Sequence, residues 1–174
     1  MASNRPSDAT RTRLSPEDRR EQLLRVTSEI IATDGVDSVR IPYVAAAAGV
    51  TRPVVYKFFP NRHELIKAVL EDFRDNFAAR TPNILETEED ADIAAIARAF
   101  IDAACDTISA RGPGGWQILR SAGHDPEISA ISRDFRGQIV QPWLIPLREL
   151  TGVDDEEALA LSDMFLTGAG EILQ

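Results

Sequence analysis

Apolar residues recur at three- and four-residue spacings through most of the chain, with Pro, Gly, Asn and Asp between the runs, so the pattern predicts a succession of helices. Ser15-Pro16-Glu17-Asp18 reads as a helix start: a serine cap, proline at the first helical position, and acids where the helix dipole favours them. Leu23, Leu24, Thr27, Ile30 and Ile31 keep helical register until Asp34-Gly35 stops the run. Pro42 opens a second, alanine-rich helix from Tyr43 to Ala48, and Gly49 supplies the tight turn that follows. Thr51 is placed to N-cap the next helix, Pro53 is tolerated in its first turn, and Pro60 ends it. A helix of about seven residues does not persist alone in water, so Val55 and Phe59, four apart, must plug it into a core. Asn61 and Glu64 then form a capping-box variant. Leu65, Ile66, Val69, Leu70, Phe73 and Phe77 make one stripe of a long fourth helix reaching about Ala79.

After Arg80-Thr81-Pro82 the composition shifts, and a domain boundary is expected near Ala79. Thr87 to Asp90 reads as another helix start. Ile93, Ile96, Ala97, Phe100, Ile101, Ala104, Cys105 and Ile108 give the helix a broad apolar face, ended by Arg111-Gly112-Pro113-Gly114-Gly115. Trp116, Ile118 and Leu119 belong to a short sixth helix. Asp125-Pro126 caps a seventh through Ile128, Ile131, Phe135, Ile139 and Trp143, which Pro142 and Pro146 are expected to kink or break. An eighth follows Asp154-Asp155, with Leu159, Ser162, Phe165, Leu166, Ala169 and Leu173 in register. No strand-period alternation appears, so the fold class is all-α. It divides into a disordered arm (1–14), a helix-turn-helix domain with its linking fourth helix (15–79) and a helical body (80–174).

Composition narrows the chemistry. The 174 residues are 44% apolar, enough for a sizeable core, and no apolar run approaches the roughly 20 residues of a bilayer span, which gives a cytoplasmic address and no membrane partner. Cys105 is the sole cysteine and His63 and His124 the sole histidines, so neither a disulfide nor a zinc site of ordinary ligand count is expected, and no cofactor is implied. Gly112 to Gly115 lacks the lysine and strand context of a phosphate loop, and no nucleophile motif accompanies a histidine; an enzyme is not the expectation. The net charge of −9 is unevenly spread: through Arg62 there are 10 basic against 7 acidic residues, and beyond it 9 against 21. A mildly basic head on an acidic body fits a protein that meets phosphate with its head, although solubilisation alone also explains it. Arg5, Arg11 and Arg13 make the first residues either a groove-reaching arm or a plain terminus, and Arg19 and Arg20 stand near the start of the first helix.

Two short helices joined through one glycine, the second with Arg52, Tyr56 and Lys57 on its free face, form a helix-turn-helix whose second member reads the major groove. From about Arg19 to Phe73 the chain resembles the tetracycline-repressor (TetR) family. The pattern is an apolar helix ending in Asp34-Gly35, Val44-Ala45-x-x-Ala48-Gly49-Val50-Thr51-Arg52, Val55-Tyr56-x-x-Phe59, and a linker to Glu64-Leu65. The resemblance implies that Thr51, Arg52, Tyr56 and Lys57 contact double-stranded operator DNA, with Arg62 in place of the usual lysine at the start of the fourth helix. Arg40 stands where a capping Thr or Ser is more common, so that phosphate contact becomes cationic. Pro53 and Phe58 alter the groove-facing surface, and the operator sequence does not carry over.

The resemblance further implies a body that holds a small apolar effector and pairs two subunits into a homodimer on a palindromic operator. Candidate wall residues are Phe100, Cys105, Trp116, Leu119, Phe135, Ile139 and Trp143, with His124 as a polar anchor; ordinary core packing is the simpler explanation of each. The chain stops at Gln174 inside its eighth helix, so the expectation is a bundle short of its last helix, either as a fragment or with an abbreviated interface, with Gly168 and Gly170 allowing close helix approach. The function expected is a repressor released from DNA by a ligand. The alternative left open is an effector-independent DNA-binding or protein-interaction module.

Overall fold

The computed structural model describes residues 14–81 and 92–172. The arginines of the expected arm and the helix start expected at Thr87 to Asp90 lie outside them. Eight α-helices are described: α1 (Pro16–Asp34), α2 (Ile41–Ala47), α3 (Arg52–Phe58), α4 (Arg62–Ala78), α5 (Ile93–Arg111), α6 (Gly114–Arg120), α7 (Pro126–Thr151) and α8 (Asp155–Ile172), with one 3₁₀ turn at Val36–Ser38. Among the described residues there is no strand, as the apolar period requires.

Side chains fix most helix starts. Ser15 Oγ accepts from the Asp18 N–H at 3.0 Å, Asn61 from Glu64 at 2.9 Å and Asp92 from Ala95 at 2.7 Å. Asp154 and Glu157 cap reciprocally, the carboxylate of each taking the other's N–H. Thr51 corrects the expectation: it occupies the N-cap position of α3, but its hydroxyl makes no capping bond. Asn61→Ala is therefore expected to lower stability by about 1 kcal/mol and Thr51→Ala by a few tenths at most. Thermal denaturation of the two variants checks this, and equal losses would contradict the assignment. The second helix also begins earlier than expected, at Ile41 with Arg40 at its N-cap, because Pro42 occupies the first turn and does not itself open the helix.

Pro142 and Pro146 were expected to interrupt α7, yet the helix runs unbroken from Pro126 to Thr151. Proline removes the N–H that would bond four residues back, here toward Gln138 and Pro142. Around those gaps Ile139, Val140, Trp143 and Leu147 are buried against the rest of the body, so packing holds the backbone in place.

α4 is the axis of the molecule, packed against α1, α5, α6 and α7, while α6 lies on α1. One buried apolar cluster extends from Leu23, Val44 and Val55 in the head through Phe73 and Phe77 of α4 to Phe100, Trp116 and Trp143 in the body. The aromatic members touch in series: Phe73 and Trp116 rings are 6.1 Å apart, Phe77 and Phe100 5.2 Å, and Phe100 and Trp143 5.2 Å. Head and body thus share a core, and α4 runs through both.

Candidate nucleic-acid interface

The head holds α3 by one side and leaves the other open. Val55 and Phe59 are buried, as their four-residue spacing requires, and the Arg20 guanidinium lies over the Phe59 ring at 5.6 Å. The α2–α3 turn depends on Gly49, whose φ of +65° suits a residue without a side chain, and on N–H bonds from Gly49 to Ala46 and from Val50 to Ala45. From α1, the Gln22 amide donates to the Ala48 carbonyl at 3.2 Å, and Arg19 in turn holds Gln22. Thr51, Arg52, Pro53, Tyr56 and Lys57 all face outward, with Tyr56 51% exposed, and Arg40 is exposed at the start of α2. Beside this face runs an open cleft between the start of α1 and α3, with Ser15, Arg19, Thr51 and Lys57 on its walls.

Arg62 departs from the expectation. Its guanidinium is turned into the protein: Nε donates to the Val39 carbonyl at 2.9 Å, Nη2 to Val36 at 3.0 Å and Nη1 to Asp125 at 2.7 Å. It ties the 3₁₀ turn of the head to the first residue before α7 and is not presented with Arg52 and Lys57. His63 stands next to it with Nε2 at 2.9 Å from Asp125 and Nδ1 at 3.4 Å from Glu127. His124 is fully solvent-facing and pairs with Asp37 at 2.8 Å, so it is not a polar anchor inside the body. Both histidines of the chain therefore bridge head and body, each against a carboxylate of the other part. No sequence signal marks this seam, because its partners are about 60 to 90 residues apart.

The bond from His63, aided by the Ile128 and Glu127 N–H groups and Arg62, holds the Asp125 carboxyl down at about 2. Asp37 is likewise lowered, chiefly by His124. A carboxylate with a depressed folded value stabilises fully above its unfolded value of about 3.9, and that contribution is lost as pH falls toward the folded value. Asp125→Asn keeps an oxygen for capping α7 but removes the charge. The wild type is expected to lose melting temperature more steeply than Asp125→Asn as pH falls from about 4 to about 2. Parallel pH profiles would remove Asp125 from the seam's energetics.

In the body, Phe100, Trp116, Leu119, Phe135, Ile139 and Trp143 are all buried, whereas Cys105 is exposed on the outer side of α5 and lines nothing internal. The helical period admits Cys105 beside Ala104 at the edge of the apolar stripe, and the packing turns it out. An interior slot of about 10 Å³ lies between Ile96, Phe100, Val140, Trp143, Leu147 and Ser162.

Residues 23–69 match the family described as bacterial regulatory proteins, tetR family. Over 88 residues the chain is 35% identical to the transcriptional activator FasR of Mycolicibacterium smegmatis, spanning 49% of this chain and 40% of that protein. Over 90 residues it is 30% identical to the nicotine-responsive transcriptional repressor HdnoR of Paenarthrobacter nicotinovorans, spanning 52% of this chain and 45% of that protein. The matches thus span less than half the length of these relatives. Among solved structures, a TetR-like transcriptional regulator from Rhodococcus sp. RHA1 aligns with a TM-score of 0.70 at 17% identity, over 92% of this chain and 86% of that one. A TetR transcriptional regulator from Legionella pneumophila aligns at 0.65 and 19% identity, over 92% and 96% of the two chains, and at such identities the likeness is one of fold. The helix-turn-helix thus matches the tetR family in sequence over residues 23–69, and the helical architecture matches solved TetR-like regulators in fold.

Proposed function

We propose that this protein is a sequence-specific DNA-binding transcriptional regulator of the cytoplasm, a repressor that leaves its operator when a small apolar molecule binds the body. One observation carries the reading: α3 is anchored by Val55 and Phe59 while a hydroxyl, an arginine, a phenol and a lysine stand together on its open face. Arg52 and Lys57 meet base edges or phosphates in the major groove, and Tyr56 donates to a phosphate. The Thr51 hydroxyl, unused as a cap, is free to do the same. Arg40 reaches the backbone from the start of α2, and Pro53 shapes the surface without supplying a donor. Arg62 acts at the seam instead.

A homodimer reads two half-sites of a palindrome when its heads are spaced by about 34 to 36 Å or a multiple of it. Ile145 on α7 and Leu159 and Met164 on α8 are large exposed apolar side chains, which supports pairing through these two helices. A ligand that favours the wrongly spaced state needs about 1 to 3 kcal/mol of coupling to release the operator. α4 and the Arg62–Asp125 seam pass that displacement to the head.

The experiment is protection of DNA flanking the gene, measured across a salt series. A protected palindrome is expected, with log affinity falling linearly with log salt at a slope of about −0.9 per phosphate neutralised. No protected site at low salt would overturn the reading.

A further inference from the structure

We propose that Arg62 is a positioning residue for DNA reading: it fixes the helix-turn-helix to the first turn of α7, so that α7 as well as α4 sets the angle at which α3 meets the operator. This role rests on the DNA-binding reading above and names the side chains through which the body governs that face.

The head is held to the body from two sides. α1 is tied to α5 and α6: Glu21 pairs with Arg111 at 2.8 Å, Ser28 Oγ accepts from the Gly114 N–H at 2.9 Å, and the Gln117 amide donates to the Ala32 carbonyl at 3.3 Å. None of these three bonds involves α2 or α3. Those helices follow the 3₁₀ turn, and the carbonyls of Val36 in that turn and Val39 just after it are the two that Arg62 holds. Val39 is buried and adjoins Arg40, the N-cap of α2, whose own carbonyl accepts from Tyr43 and Val44. The guanidinium therefore fixes where α2 starts, and the Gly49 turn carries that placement to α3.

The other arm of the fork is on the body. Asp125 divides its carboxylate: one oxygen caps α7, accepting from Glu127 at 3.0 Å and Ile128 at 3.4 Å, while the other accepts from Arg62 at 2.7 Å and lies 2.9 Å from the His63 ring. The place of that acceptor is thus the place of the α7 N-terminus. The same helix buries Phe135, Ile139 and Trp143 in the body, so α7 joins the body core to the seam. A guanidinium suits this post because its planar fork donates in three directions at once, whereas an ammonium is a single point of charge.

Arg62→Lys, Asp125→Asn and their combination test the role in the whole chain. Arg62→Lys keeps the charge that a phosphate contact needs and loses the fork. Asp125→Asn keeps an oxygen to cap α7 and turns an amide donor toward the guanidinium. By charge alone Asp125→Asn strengthens DNA binding, since it removes a negative charge. Both single variants are expected instead to weaken the protected operator by about fivefold or more, with the salt slope unchanged and the double variant losing no more than the worse single one. Binding to a scrambled duplex of the same length, which needs no aligned pair of heads, is expected to stay within about twofold. Operator affinity retained in Arg62→Lys, raised in Asp125→Asn, or lost additively in the double variant would overturn the proposal. Should Arg62→Lys fold poorly, Asp125→Asn carries the test. Amide hydrogen exchange without DNA is the second readout: in both variants α2 and α3 are expected to exchange faster while α1 does not, and unchanged exchange in α2 and α3 would also overturn the proposal. Because that readout involves no DNA, a failure here is separate from a failure to protect an operator.

Discussion

Alanine at both Arg52 and Tyr56 weakens operator binding by about 30-fold to 10⁴-fold while leaving the melting temperature nearly unchanged. A well-made bidentate arginine–base contact is worth about 1 to 3 kcal/mol, and a dimer presents each residue twice, so the loss per operator is about 2 to 6 kcal/mol before any Tyr56 term. Stability is spared because both side chains face solvent and the buried anchors of α3, Val55 and Phe59, are untouched. Arg52→Lys separates charge from geometry: it retains the cation but not the planar fork, so a loss close to that of Arg52→Ala identifies base reading, and full retention identifies a phosphate contact. Tyr56→Phe isolates the hydroxyl in the same way. Affinity measured at several salt concentrations reads both effects. A double variant that binds like the wild type would mean that α3 does not enter the groove.

The second large effect concerns how α6 reaches α1. Gly114 begins α6 with its N–H donating to Ser28 Oγ at 2.9 Å. A Cβ added there would lie 2.5 Å from the Ser28 Cα and 2.7 Å from its carbonyl oxygen. Those are backbone atoms of a helix and cannot rotate away, so in Gly114→Ala α6 must retreat from α1 and give up the bond. Overpacking of this kind together with a lost buried hydrogen bond costs about 3 kcal/mol, or about 6 to 12 °C in melting temperature for a chain of this size. Gly137→Ala is the counter-test. That glycine lies within α7 with open space where the methyl would go, so replacement is expected to raise stability by about 0.5 to 1 kcal/mol. Two glycine-to-alanine changes of opposite sign, read by the same melting curve, distinguish close helix approach from backbone freedom. If Gly114→Ala melts with the wild type, α6 does not sit on α1 at this distance.

The head was legible because its signals are local. Ser15-Pro16, Asp34-Gly35, Gly49, Pro60 and Asn61 each act on neighbours within a few residues, and Val55 with Phe59 defines the buried side of α3 through helix geometry alone. Thr51 shows where local reading stops: the residue type and position suit a cap, but the bond depends on a side-chain rotamer that the sequence does not specify. Pro142 and Pro146 show the same in reverse, since the cost of a missing N–H is local while the packing that keeps α7 continuous comes from Trp143 and Leu147 against other helices.

By itself the sequence determined the all-α class, the helix-turn-helix and the outward set Thr51, Arg52, Tyr56 and Lys57, because period and capping chemistry act within one or two turns. Tertiary structure alone decided that Arg62 turns inward to Val36, Val39 and Asp125, that His63 and His124 bridge head and body, and that Cys105 leaves the core. It also placed two indole N–H groups in a core with no acceptor for them. The physical reason is common to all of these: which side of a long helix faces a partner, and which charge meets which, depends on elements about 60 to 90 residues away whose approach no local period encodes.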